Sequence, residues 1–150
     1  SDVYKRQVFS VSGKDRGAIL PGGHAGKAFW YSKSRGEFVT STYYYDAYPA
    51  WVAAWNEAAP VDRYRGATWE LLLPRETYVA RDLDDRPYEA DFAALGRTFP
   101  HGYGDGKLLP VIVGLTPAID ELTTRALPCS TMKRQLYPAC CPSRKMTSPA

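Results

Sequence analysis

Lys14 and Arg16 are the residues whose types and spacing most readily do chemistry in this chain. They flank Asp15 and follow the apolar residues Val8, Phe9 and Val11 in the stretch VFSVSGKDRGAILPGGHAG. In an extended chain the side chains alternate in direction, so positions 14 and 16 project to one side while position 15 points away. Two cations then converge at a strand exit. Lysine offers a mobile point charge, and arginine a planar fork that matches two oxygens of a phosphate or carboxylate. An anion is the ligand such a pair would hold. Spacing alone leaves a second reading open: an ordinary solvated strand end, with or without pairing to Asp15 or another carboxylate.

The elements that must position this pair follow from local pattern. Val8, Phe9 and Val11 predict a buried strand of about five residues, punctuated by Gly13. Gly17-Ala18-Ile19-Leu20 predicts the start of a short helix, whose first N–H groups add partial positive charge at the same corner. The run KAFWYSKSRGEFVTSTYY holds two aromatic and β-branched segments around Ser34-Arg35-Gly36, a hairpin signal. In PAWVAAWNEAA, from Pro49 to Ala59, Trp51, Val52 and Trp55 share one face of an amphipathic helix opened by proline. FPHGYGDGK, from Phe99 to Lys107, reads as a flexible loop. In LTPAIDELTTRAL, Thr116 stands as an N-cap before Pro117, with Ile119, Leu122 and Leu127 on the apolar face of the helix that follows.

Composition sets bounds on the whole. At 150 residues with 45% hydrophobic and 13% aromatic content, the chain suits one globular domain. A net charge of +3 without a lysine-rich run gives no support for nucleic-acid binding. No stretch approaches the roughly 18 apolar residues of a membrane span, and the start lacks the apolar core of a secretory signal peptide. The three cysteines, Cys129, Cys140 and Cys141, lack metal-ligand spacing and define no disulfide framework.

Both ends look foreign to the middle. DVYKRQ, Asp2 to Gln7, resembles a translated sequencing-library adapter, so residues 1–7 are set aside from fold reasoning. Beyond Leu127 hydrophobic periodicity is lost, and residues 128–150 read as a frameshifted tail. Residues 8–127 carry the fold.

Other residues invite sharper readings and support plainer ones. His24 and His101 stand without a second ligand at metal spacing, so each is expected to be a structural histidine bonded to backbone. Asp82, Asp84 and Asp85 lack the glycine and distal glutamate of a calcium loop and read as a solvated turn. Most of Trp30, Tyr31, Tyr43, Tyr44, Tyr45, Trp51 and Trp55 is expected in the core. Trp30 is also a candidate for lining a substrate pocket.

SGKDRGAILPGGHAGKAFWY followed by GEFVTSTYYYDAYPAWVAAWN resembles the middle of bacterial monomeric alkaline phosphatases, in the superfamily that includes type I phosphodiesterases and nucleotide pyrophosphatases. Lys14-Asp15-Arg16-Gly17-Ala18, Gly23-His24, Phe29-Trp30-Tyr31, Ser41-Thr42-Tyr43-Tyr44, Phe99-Pro100-His101 and Thr116-Pro117 carry the resemblance, which runs from about Val8 to Ala126. It implies an α/β class and a partial alkaline-phosphatase-like fold: a strand, an aromatic hairpin and helices, without most of the central sheet. It further implies a zinc-dependent phosphate monoester hydrolase with a phospho-threonine intermediate, in which Lys14 and Arg16 hold the non-bridging phosphoryl oxygens. Two Zn2+ ions are implied for the parent, with nucleophile and metal ligands outside these residues, so Thr40, Thr42, His24 and His101 take none of those roles. The fragment alone is expected to be inactive, and the parent monomeric and periplasmic or secreted. Gly13 departs from the family, which commonly has an apolar residue there, and is expected to loosen the strand exit. A diesterase or nucleotide pyrophosphatase of the same superfamily, or a non-catalytic anion- or carbohydrate-binding module, are the alternatives.

Overall fold

The computed structural model describes residues 8–79, 85–93 and 95–126. The adapter-like start and the frameshift-like tail lie outside the described residues, as do Asp82, Asp84 and Leu127.

Strand β1 (Phe9–Ser12), helix α1 (Asp15–Gly22) and strand β2 (Lys27–Ser32) form a βαβ unit. β1 and β2 run parallel, with Phe9 opposite Lys27 and Ser12 opposite Trp30. Strand β3 (Glu37–Val39) returns antiparallel on the far side of β2, with Phe38 opposite Tyr31, giving the sheet order β1-β2-β3. The expected hairpin is therefore present. Its loop closes through Gly36 N–H to Ser32 C=O at 2.8 Å, and Gly36 adopts φ 72°.

β2 is the central strand, and both of its faces are covered: Ala28, Phe29 and Tyr31 are buried. That explains a nearly continuous apolar run instead of strict alternation. On one face Ala28 packs with Ala18 of α1 and Tyr44, and Trp30 closes the edge of that cluster. On the other face Tyr31 and Phe38 join the main core with Leu109, Ile112, Val113 and Leu122. β1 pairs only with β2 among the described residues, and its four positions are half-buried instead of fully buried as the apolar run predicted.

Helix α2 (Ala50–Glu57) forms as expected, with Val52 fully buried and Pro49 at its N-cap. It contributes a contact that periodicity does not reveal. The Asn56 amide accepts from Phe38 N–H at 3.0 Å and donates to Phe38 C=O at 2.8 Å, so a side chain pairs the outer edge of β3. Sheet edges left open template unwanted pairing, and this lock covers one. Phe29 adds a T-shaped contact with Trp51 at 4.9 Å between ring centroids.

Two short 3-10 turns (Pro60–Tyr64 and Arg75–Thr77) and strands β4 (Thr68–Trp69) and β5 (His101–Gly102) follow, then helices α3 (Leu109–Val113) and α4 (Ala118–Ala126). β4 and β5 pair antiparallel, so the expected loop at Phe99 to Lys107 is ordered at its start. Apolar contact supplies the reason: Trp69, Phe99 and His101 stack on one another, and Tyr103 is buried in the main core.

Thr116 does not cap α4 with its hydroxyl. The side chain is buried, and its O–H donates to Val113 C=O at 3.3 Å, while its carbonyl accepts from Ile119 N–H. A buried hydroxyl must spend its proton on an acceptor, and the nearest is the preceding turn. α4 is pinned to the first 3-10 turn by Tyr64, whose hydroxyl donates to Glu121 Oε2 at 2.6 Å. Burial first, then the Glu121 carboxylate, push the Tyr64 hydroxyl well above the usual phenol range. The same hydrogen bond holds Glu121 below the usual carboxylate range, with Arg125 and Arg63 adding to it.

Candidate functional site

Parallel β1 and β2 present their C-terminal ends at one corner of the sheet, the usual place for ligands in open α/β sheets. Lys14 stands at that corner in extended backbone, φ −137° and ψ 150°, as the N-cap residue of α1. The chain turns helical at Asp15, two residues before the expected start, so Arg16 projects from the first turn of α1. The strand-alternation geometry expected for Lys14 and Arg16 is therefore replaced by another: one cation leaves the strand exit and the other the helix start. Asp15 favours this early start because an acidic residue suits the positive end of a helix. Its carboxylate accepts the Arg16 N–H at 2.8 Å.

Both cations are exposed, and among the described residues neither side chain makes a hydrogen bond or ion pair. Neither cation pairs with Asp15, and their exposure is compatible with both readings left by spacing, an anion clamp or a solvated strand end. Trp30 reaches the same end of the sheet through its pairing with Ser12, and lies half-buried against Ala18, Ala28 and Tyr44.

The other chemistry-bearing side chains are engaged elsewhere. Thr40 Oγ1 donates to Ala28 C=O at 2.7 Å. Thr42 is exposed and, with residues 40, 41 and 45–48, lines a cavity of about 250 Å3 that includes neither Lys14 nor Arg16. His24 Nδ1 lies 3.3 Å from the Tyr43 hydroxyl, so its partner is a side chain and not the expected backbone. His101 Nδ1 meets Leu95 C=O at 2.8 Å, the backbone bond expected of a structural histidine. A carbonyl only accepts, so that nitrogen carries the proton. Asp85 is exposed and pairs with Arg97 at 2.7 Å. Tyr31 and Tyr44 are buried, whereas Tyr43 is 63% exposed and leaves the aromatic core.

Zinc needs convergent His, Cys or carboxylate ligands. Among the described residues no group of three or more such side chains could hold a metal ion, and both histidines already have partners. The described residues do not fit a metal site.

In sequence and in fold this chain is similar to part of the alkaline phosphatases, an alkaline-phosphatase-like segment of partial coverage. The particulars are as follows. Alkaline phosphatase PhoV of Synechococcus elongatus is 44% identical over 100 residues, which is 65% of this chain and 18% of PhoV. A Myroides odoratus protein named as a calcium-transporting ATPase is 41% identical over 90 residues, 59% of this chain and 16% of its own length. Alkaline phosphatase PafA of Elizabethkingia meningoseptica is 37% identical over 87 residues, 57% of this chain and 16% of PafA. Crystal structures of wild-type PafA and of a four-substitution variant match with TM-scores of 0.62 and 0.66 at 28% identity, covering 87% of this chain and 26% of theirs. In that variant a threonine, an asparagine, and a lysine and arginine two positions apart are replaced. The chain spans less than a fifth of the length of these curated relatives. No family model matches it.

Proposed function

We propose that this chain supplies the phosphate-oxygen clamp of a phosphate monoester hydrolase, with Lys14 and Arg16 as the clamp and Trp30 beside it. The observation that carries this is the pair of exposed cations, without a partner among the described residues, at the C-terminal corner of the parallel strands. Two relatives named as alkaline phosphatases support it, as does the PafA variant, whose replaced lysine and arginine have the same spacing.

Phosphoryl transfer asks a protein mainly to position the reacting groups and to offset charge on the non-bridging oxygens. Arg16 presents two N–H donors in a fixed plane and sits in a helical turn, so it sets orientation. Lys14 brings a compact charge on a flexible stem and follows the oxygens as they move. A monoester has one more charged oxygen than a diester, which is why paired cations favour monoesters. The resemblance adds a threonine nucleophile and two zinc ions, whose ligands would come from outside these residues, and a periplasmic or secreted, monomeric parent. Residues 8–127 would be the natural segment; sequencing the surrounding DNA and finding one intact frame through residues 1–7 and 128–150 would reject that boundary.

The test uses the full-length reading frame that carries this segment. Lys14→Ala and Arg16→Ala are each expected to lower phosphomonoesterase turnover by about 10²–10³, the effect of losing one transition-state donor. Unchanged monoester kinetics in both variants would reject the clamp.

A further inference from the structure

We propose that Ser12 and Ile119 are positioning residues for the clamp, gripping the strand-to-helix turn from two sides through Gly17 and Gly13. The proposal rests on the reading of Lys14 and Arg16 as a phosphate clamp.

The turn has little of its own to hold it. Extended backbone at Lys14 becomes helix at Asp15, and the Lys14 side chain caps nothing. Among the described residues, Asp15 satisfies only its neighbour's N–H. One backbone bond, Ala18 N–H to Lys14 C=O at 3.2 Å, closes the first helical turn, and packing at two residues that have no side chain seats that turn against its neighbours.

At Gly17 the neighbour is Ser12. A Cβ at position 17 would overlap Ser12 Oγ and lie 3.2 Å from Ser12 Cβ. The same hydroxyl accepts from Lys14 N–H at 3.4 Å. Ser12 is itself held in the sheet, opposite Trp30, so the first turn of α1 rests on a strand residue. At Gly13 the neighbour comes from α4: a Cβ there would lie 2.8 Å from Ile119 Cγ1. α4 is anchored by Leu122 and Ala118, both buried. Gly13 was expected to loosen the strand exit; in the structure its missing side chain admits Ile119 and tightens it.

Lys14 and Arg16 lie between the two grips. A side chain at 17 must push the first helical turn away from β1 and carry Arg16 with it. Misplacement of a positioning group by about 1 Å costs up to roughly 10²-fold in rate. The loss should fall on the substrate that uses both cations most fully. Monoesters therefore suffer more than diesters.

The experiment measures kcat and KM on 4-nitrophenyl phosphate and on bis(4-nitrophenyl) phosphate, in the full-length enzyme. Gly17→Ala is expected to lower monoester kcat by about 10-fold to 10²-fold and to reduce the monoester-to-diester preference. Ser12→Gly on its own releases the Ser12 side of the turn and removes the acceptor of Lys14 N–H, so it is expected to lower the monoester-to-diester preference. Ile119→Ala releases the other side, is expected to lower the same preference, and carries the test if Gly17→Ala does not fold. Equal losses on both substrates, or an unchanged preference in both Ser12→Gly and Ile119→Ala, would show a merely structural role and overturn the proposal. Lys14→Ala and Arg16→Ala are run alongside: if they leave monoester turnover unchanged, the clamp reading itself has failed, and the positioning role with it.

Discussion

Tyr64→Phe tests the link that fastens α4 to the rest of the core. The ring stays, since Tyr64 is only 8% exposed and packs 5.4 Å from Tyr103. What goes is the hydroxyl, which donates to Glu121 at 2.6 Å and lies 3.4 Å from Ala118 C=O. A hydrogen bond to a charged acceptor contributes roughly 1.5–3 kcal/mol. Here Glu121 has a side chain 42% exposed and keeps Arg125 at 2.8 Å and Arg63 at 3.7 Å, so solvent and those partners offset part of the loss. The expected cost is about 1 kcal/mol, roughly a five-fold change in the folding equilibrium. The pH dependence has a definite sign. Glu121 is held below its unfolded value, first by Tyr64, so the stability it contributes is present above about pH 4.3 and is lost as pH falls through its folded pKa. Urea unfolding followed by tryptophan fluorescence should show a gap between wild type and variant near neutral pH that narrows in acid. Coincident midpoints near neutral pH, or a gap that does not narrow, would refute the assignment of that energy to the Tyr64–Glu121 bond.

Two further outcomes are expected. Gly36→Ala places a side chain at φ 72° and 3.3 Å from Pro110 Cγ; it should lower stability by about 1–2 kcal/mol, seen as a lower urea midpoint at unchanged slope, and an unchanged midpoint would count against the turn. Tyr31 donates to Pro110 C=O at 2.9 Å, and burial pushes its hydroxyl well above the usual phenol range. A raised folded pKa contributes stability that is complete below about pH 10 and is lost as pH rises beyond it. Tyr31→Phe should therefore be less stable than wild type near neutral pH, with the two curves converging in alkali; parallel curves would contradict this.

What the sequence made legible depended on period and punctuation. β1, the β2–β3 hairpin and α2 could be read because each carries a run of apolar residues closed by glycine or opened by proline. α3 escaped because LPVIV is five residues long and offers no repeat to read. The β4–β5 pair escaped for the same reason: each strand has two residues, and the contact that orders them joins Trp69 to Phe99 and His101 across the chain. Asn56 could not be recognised as the cover of β3, since nothing in a helical asparagine reveals which edge it meets. His101 as a backbone-bonded residue was readable from its lack of companions. The partner of His24, a tyrosine nineteen positions on, was not.

The proposed clamp shows how the geometry read for a residue pair can differ from the one the fold gives it. Reading Lys14 and Arg16 from strand alternation makes the pleat set their separation, and makes the glycines on either side incidental. In the structure Lys14 lies in the turn after β1 and Arg16 in the first turn of α1, so that turn sets their separation, and its packing becomes part of the proposed site. Gly13 and Gly17 are then required because Ile119 and Ser12 occupy the space their side chains would take. A search for this clamp by Lys-x-Arg in an extended run would look for alternating polar positions and pass over the feature that aims them. Ser-Gly-Lys-Asp-Arg-Gly, with a glycine outside each cation and a serine at the strand end, is the pattern that the packing demands.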